Sequence, residues 1–188
     1  MTTQTSTRER ILGAYEDLLI VDGPRMATLD AVAAAAGVSK GGLLYHFKSK
    51  EALTEALLVK LRAYAELDFA AMAQDPAGCA SYYVRTSVFG DSPFDRAIVA
   101  AHRLIQSDED VVRLVFSEIH SRWFDLILSD IADPAVARAV MLLGDGLYFN
   151  ATIFGFQTGG ASSANPQEQV DVASLLEVVA KMKSNARS

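Results

Sequence analysis

Between Lys40 and Lys50 the chain carries Lys40, Tyr45, His46, Lys48 and Lys50 and no acidic side chain. Ammonium, phenol and imidazole groups at that density donate to anions, and nucleic-acid phosphate is the anion that such a run suits. Ser39 and Lys40 are followed by Gly41 and Gly42. Glycine inside a helix costs about 1 kcal/mol against alanine, so a pair of them asks for a compensating close approach of backbone to DNA. A second group of candidates for binding chemistry is His102, Phe116, His120, Trp123, Asp145 and Asn150, polar and aromatic side chains of the kind that line pockets between helices. Asp145 is the most informative. A carboxylate among Leu142, Leu143, Gly146 and Leu147 needs a partner if buried, with Arg138, His120 and a cationic ligand as the choices. The neighbouring rings Tyr82, Tyr83, Phe89, Phe124, Tyr148 and Phe154 default to packing.

Catalytic chemistry finds no comparable support. There is no phosphate-cradling glycine loop, no Gly-x-Ser-x-Gly elbow and no two-histidine zinc motif. Glu118 and His120 are two residues apart and point to different helix faces, which rules out the Glu-x-x-His pairs of a helical di-iron site. Cys79 is the one cysteine, so neither an intrachain disulfide nor a cysteine-rich zinc site can form. No enzyme activity, metal or cofactor is expected. The longest near-apolar run, 136–149, is broken by Arg138 and Asp145 and falls short of the roughly 20 residues of a bilayer span. The polar start, Met1 to Thr7, lacks the order of a secretory signal, so a cytoplasmic protein without membrane partners is expected.

The net charge of −6 sits awkwardly with nucleic acid until its distribution is read. Up to residue 62 there are 8 Lys/Arg against 7 Asp/Glu, and the acidic excess belongs to the remainder. That pattern predicts a mildly basic head on an acidic body.

These side chains have to be positioned by helices, because helical periodicity and helix punctuation run the length of the chain and no strand hairpin signal interrupts them. Ile11, Ala14, Tyr15, Leu18 and Leu19 mark a first helix that ends at Asp22-Gly23-Pro24. Thr28 caps a second through Ala36, Gly37 stops it, Ser39 begins a short third, and Ser49 caps a long fourth from Lys50 to about Ala73. Further starts are read at Asp75-Pro76 (to about Phe89), Ser92-Pro93 (to about Gln106, with Asp95 completing a capping box), Ser107, Asp133-Pro134 (to about Phe154) and Asn165-Pro166, with Glu168 at its third position. The expectation is an all-α fold of about nine helices.

Two short helices around Gly37-Val38 have the size of a helix-turn-helix, although spacing alone fits an ordinary helical corner equally well. The side chains favour DNA. The run from Thr28-Leu29-Asp30-Ala31-Val32-Ala33 through Gly37-Val38-Ser39-Lys40-Gly41-Gly42-Leu43-Leu44-Tyr45-His46-Phe47 to Lys48-Ser49-Lys50-Glu51-Ala52-Leu53 closely resembles the DNA-binding domain of the TetR (tetracycline-repressor) family, as does the Thr7-Arg8-Glu9-Arg10-Ile11-Leu12 opening.

The resemblance implies a DNA-binding domain at 5–65, with the helix-turn-helix at 28–47, and an effector-binding and dimerisation domain at 66–188. It implies a homodimeric repressor reading a palindromic operator, with reading heads roughly 34–36 Å apart, released by a small molecule. It makes Thr28, Tyr45, His46 and Lys50 phosphate contacts and turns Ser39, Lys40, Gly41 and Gly42 to the groove. Gly42 and Leu44 depart from the family's commoner Thr, Ser or Ala and Tyr. Lys40 is then the one long polar reader, suited to a guanine edge, while Leu44 either touches a thymine methyl or packs on the first helix. Sparse base readout leaves dimer spacing and DNA shape to supply specificity. Val140, Leu143, Leu147 and Phe154, with Val172, Leu176 and Val179 of the last helix, form a candidate dimer seam. Some efflux-controlling members of the family bind lipophilic cations, and an acidic, aromatic-rich body admits that class of effector. The competing reading is a helical small-molecule-binding or interaction protein without operator binding.

Overall fold

The computed structural model describes residues 6–105, 110–154 and 172–186. Nine helices occupy them: α1 (Thr7–Val21), α2 (Leu29–Ala35), α3 (Lys40–His46), α4 (Lys50–Ala73), α5 (Cys79–Thr86), α6 (Pro93–Ile105), α7 (Asp110–Ile131), α8 (Pro134–Phe154) and α9 (Val172–Ala186). The all-α class is as expected, and no helix among the described residues is long and apolar enough to cross a membrane.

Local chemistry explains most of the boundaries. Ser6 caps α1 in a reciprocal box, accepting from the Glu9 amide at 3.2 Å while Glu9 Oε2 accepts from the Ser6 amide at 2.8 Å. Thr28, Ser39 and Ser49 accept from the amides of Ala31, Gly42 and Ala52. Ser92 and Asp95 form the anticipated capping box of α6, and Asp133 Oδ1 accepts from Ala135 and Val136 at the start of α8.

One start differs. Asp75-Pro76 opens a turn, in which Asp75 Oδ1 accepts from Ala77 and the Asp75 carbonyl from Gly78, and α5 begins only at Cys79 and ends at Thr86. The reason is Gly78: its φ of 86° interrupts the helical backbone. The proposed starts at Ser107 and Asn165-Pro166 lie outside the described residues.

The helices group into two compact units that do not follow the linear boundary at 65/66. The first joins Met1–Tyr64 to Asp91–Phe116, and the second joins Ala65–Gly90 to Ser117–Ser188. The segment 91–116, expected in the body, therefore belongs with the head. Its helix α6 buries Ala97, Ala100, Ala101 and Leu104, and small residues permit close packing. Arg96 reaches Asp17 of α1 and Asp91, at 3.2 Å for the latter, and Arg103 donates to the Ile20 carbonyl. Ile11, Tyr15, Leu19, Leu43, Leu53, Leu57, Leu58 and Leu61 fill the core of this unit, with Tyr15 hydroxyl 3.0 Å from Thr54 Oγ1 and buried Glu16 paired to Lys60 at 2.8 Å.

In the second unit Met72, Ala80, Val84, Ile127, Ile131, Ala137, Val140, Met141 and Val179 form a continuous core. Lys183 of α9 pairs with Asp130 of α7 at 2.8 Å, and Asp130 also accepts from the Ala80 amide, so one carboxylate ties three helices together.

Candidate nucleic-acid interface and effector site

The helix-turn-helix is fixed from inside. Gly37 turns the chain with φ 65° while Val38 donates to the Ala33 carbonyl at 3.0 Å, and Val32, Ala33, Leu43 and Phe47 are buried beneath α2 and α3. The opposite side of α3 is left for Lys40, Gly41, Leu44 and Tyr45, all exposed, Tyr45 at 85%. Leu44 is on this outer side and not folded into the core. His46 is half-buried, its ring edge-on to Tyr45 at 5.2 Å, and it borders a groove of about 590 Å³ shared with Arg8, Phe47, Glu55, Val59 and Lys60. Arg8 lies over the Phe47 ring at 4.8 Å.

Three of the expected DNA contacts also hold the head together. Thr28 and Ser39 use oxygen lone pairs as caps, which leaves each hydroxyl proton free to donate outward. Lys50 Nζ donates to the Pro24 carbonyl at 2.6 Å and is half-buried, so its first task in the chain is to close the α1–α2 loop. Lys40 Nζ stands 2.9 Å from Asp30 Oδ2 of α2, both side chains exposed, at 56% and 71%. This acidic partner lies in the preceding helix, outside the 40–50 run.

The six residues read as an effector site do not share one unit. His102 and Phe116 lie in the first, their rings edge-on at 6.0 Å, and burial beside Arg103 lowers the His102 pKa. His120, Trp123, Asp145 and Asn150 lie in the second. There Asp145 Oδ1 accepts from the Tyr83 hydroxyl at 2.6 Å and is 3.9 Å from His120 Nε2. The partner of Asp145 is thus Tyr83 first, and Arg138 instead lies 4.0 Å over the Phe124 ring.

Trp123 contacts the rings of Tyr83 and His120 at 5.6 Å each and Phe69 at 6.0 Å, while its indole N–H donates to Asp68 at 2.8 Å. Asp68 accepts from Tyr82 as well, at 2.9 Å. Burial, reinforced by Asp68, pushes the Tyr82 phenol up to about 12, and burial beside Asp145 raises Tyr83 too, so both stay neutral donors. Asn150 turns its amide back to the Gly146 carbonyl of its own helix at 2.7 Å. Among the described residues, no three His, Cys, Asp or Glu side chains converge as a metal site requires. Asp68 was not among the residues singled out in the sequence, because its partners Tyr82 and Trp123 are 14 and 55 residues away.

The dimer seam needs correction. Val140 and Val179 are fully buried in the chain's own core and Leu147 nearly so, which leaves them little or no surface for a second copy. Val172, Leu143 and Leu176 are half-buried, and the side chain of Phe154 lies outside the described residues. Periodicity identified buried faces correctly but could not tell core from seam. Among the described side chains, the large apolar ones that α8 and α9 expose are Leu142, at 62%, Phe149 and Val178.

Comparison with known proteins places these features. Residues 11–57 match the family profile described as "Bacterial regulatory proteins, tetR family". Over 63 residues, 34% of this chain, the sequence is 38% identical to the HTH-type transcriptional regulator SrpR of Pseudomonas putida, of which the match covers 30%. The chain matches less than half the length of such curated relatives. Along nearly its full length it is similar in fold to the multidrug binding protein EbrR complexed with malachite green (20% identity, 93% of this chain and 96% of that one, TM-score 0.65). Salmonella enterica GusR is similar at 20% identity, with 98% of each chain covered and a TM-score of 0.65. Residues 11–57 of this chain are thus a helix-turn-helix domain of the tetR family of bacterial regulatory proteins.

Proposed function

We propose that the chain is a transcriptional repressor that reads palindromic operator DNA as a homodimer and is released by a small molecule held in the second unit. The observation that carries this reading is the outer face of α3, where Lys40, Gly41, Leu44 and Tyr45 stand exposed on a helix anchored from behind by Leu43 and Phe47. Gly41 adds to it. A Cβ at that position would meet only Ser39 Oγ, at 4.0 Å, so nothing within the described residues demands glycine there, whereas a duplex approaching the backbone does. Thr28, Tyr45, His46, Lys48 and Lys50 supply donors for phosphates, Ser39 faces the groove, and Lys40 supplies the base contact.

For the second copy, the exposed Leu142 and Phe149 of α8 and Val178 of α9 offer an apolar surface that a two-fold axis can pair with itself. For the effector, Asp145 and Asp68 among Trp123, Tyr83, Phe69 and His120 suit a flat lipophilic cation, which carboxylates and ring faces both attract. EbrR, similar in fold, is seen with malachite green. Such a ligand releases DNA to the extent that it prefers the chain's non-binding conformation.

The test is a gel shift of the full chain against its neighbouring intergenic DNA, at several salt concentrations, with and without malachite green. A sequence-selective, salt-dependent shift reversed by the dye is expected. No salt-dependent shift at any sequence would leave the small-molecule-binding reading in its place, and a shift that no lipophilic cation reverses would remove the effector class alone.

A further inference from the structure

We propose that Asp30 is a positioning residue for Lys40 and determines how sharply the head separates its own site from other DNA. The inference rests on the operator reading above. Asp30 is in the first turn of α2 and Lys40 is the first residue of α3, and their 2.9 Å ion pair bridges the two helices at the end of α3 that enters the groove. No other acidic residue occurs between Asp22 and Glu51 in the sequence. A carboxylate there faces a polyanion. If its whole use were to complement the α2 dipole, any first-turn position of α2 would serve, and nothing would require contact with the one long side chain at the front of the reading helix.

The consequences differ between specific and non-specific complexes. An ammonium has three donors, and one spent on Asp30 leaves two for the O6 and N7 acceptors of a guanine edge. The flexible four-carbon stem of Lys40 is already held, so less rotamer freedom is lost when it docks on the base. On an unrelated sequence Lys40 has only phosphates to find. There the ion pair neutralises it, no counterion is released on its account, and the Asp30 carboxylate repels the backbone. Asp30 therefore weakens non-specific binding more than specific binding.

The experiment compares wild-type chain, Asp30→Asn, Lys40→Ala and the double variant. Each is titrated by fluorescence anisotropy against a duplex selected by the wild-type chain from a random library and against its scrambled counterpart, between 50 and 200 mM salt. Asp30→Asn should tighten scrambled-duplex binding roughly three- to tenfold and steepen its log–log salt dependence by about one per head, with little gain on the selected duplex. In the Lys40→Ala background the same substitution should leave the selected-to-scrambled ratio unchanged. An equal effect of Asp30→Asn on both duplexes, or an effect on the ratio that persists without Lys40, overturns the proposal. A wild-type chain that selects no duplex overturns the operator reading and this inference with it, whereas one that selects a duplex but is indifferent to Asp30→Asn overturns the inference alone.

Discussion

At the scale of single residues, what could be read early was what acts over a few positions. Thr28, Ser39 and Ser49 each accept from the backbone amide three residues further on, and such relations are visible in a string of letters. Asp30 opposite Lys40, Lys50 on the Pro24 carbonyl and Tyr83 on Asp145 are separated by 10, 26 and 62 residues, and no periodicity announces them. The two lysines can now be told apart by experiment. Lys40→Ala removes an exposed side chain, so it should leave the melting temperature unchanged while costing roughly 1–3 kcal/mol at one base pair per half-site. Lys50→Ala removes both the proposed phosphate donor and the tie to the loop. It should weaken all sequences alike and also lower stability by about 1 kcal/mol, as the loss of a charged hydrogen bond from a half-buried carbonyl would. A thermal melt beside the anisotropy titration separates the two, and an unchanged Lys50→Ala melt would return that residue to a purely electrostatic role.

At the scale of helices, the capping residues allowed most boundaries to be placed, and the misplaced one shows why the others worked. Asp75-Pro76 has the same letters as Asp133-Pro134, yet the first pair makes a turn and the second a helix start. The difference is two residues on, where Gly78 takes φ 86° and brings the chain against Asp130 and Lys183. A Cβ on Gly78 would lie 2.6 Å from Asp130 Oδ2 and 2.8 Å from Lys183 Nζ, so the glycine makes room for the ion pair that joins α7 to α9. Gly13, inside α1, has nothing within 4 Å of such a Cβ. The two glycines should therefore respond with opposite sign. Gly78→Ala is expected to destabilise by about 1–3 kcal/mol, from the left-handed backbone alone before any displacement of Lys183. Gly13→Ala should stabilise by about 0.5–1 kcal/mol, because alanine is the better helix former and nothing obstructs it. Urea titrations at one temperature measure both, and a stabilised Gly78→Ala variant would mean that the turn relaxes to another conformation.

At the scale of the molecule, helical periodicity was enough for an all-helical class and the family resemblance for its helix-turn-helix, but neither for the way the segments are shared. A sequence is read in order, whereas a core is assembled from whatever packs. Residues 91–116 belong with the first unit because α6 lays Ala97, Ala100 and Leu104 inward and fastens Arg96 to Asp17 of α1. A fragment ending at residue 65 should therefore lack part of its own core, and circular dichroism should show it melting well below the full chain, or without a cooperative transition. The seam was misread for the same reason. A helix apolar on several faces shows that it is covered, not by what, and the structure gives Val140 and Val179 to the chain's own core while leaving Leu142 outside. Substitutions at these sites separate folding from association. Val140→Ala should lower stability by roughly 1–3 kcal/mol, as the truncation of a fully buried side chain does, and leave the proposed self-association unchanged once folded. Leu142→Asp should fold normally, since its side chain meets water in the single chain, but place like charges across a two-fold axis. Sedimentation velocity on the folded variants is the deciding measurement: a monomeric Leu142→Asp chain with an unchanged melt in dilute solution locates the pairing surface on α8, and a dimer that survives the aspartate moves it elsewhere.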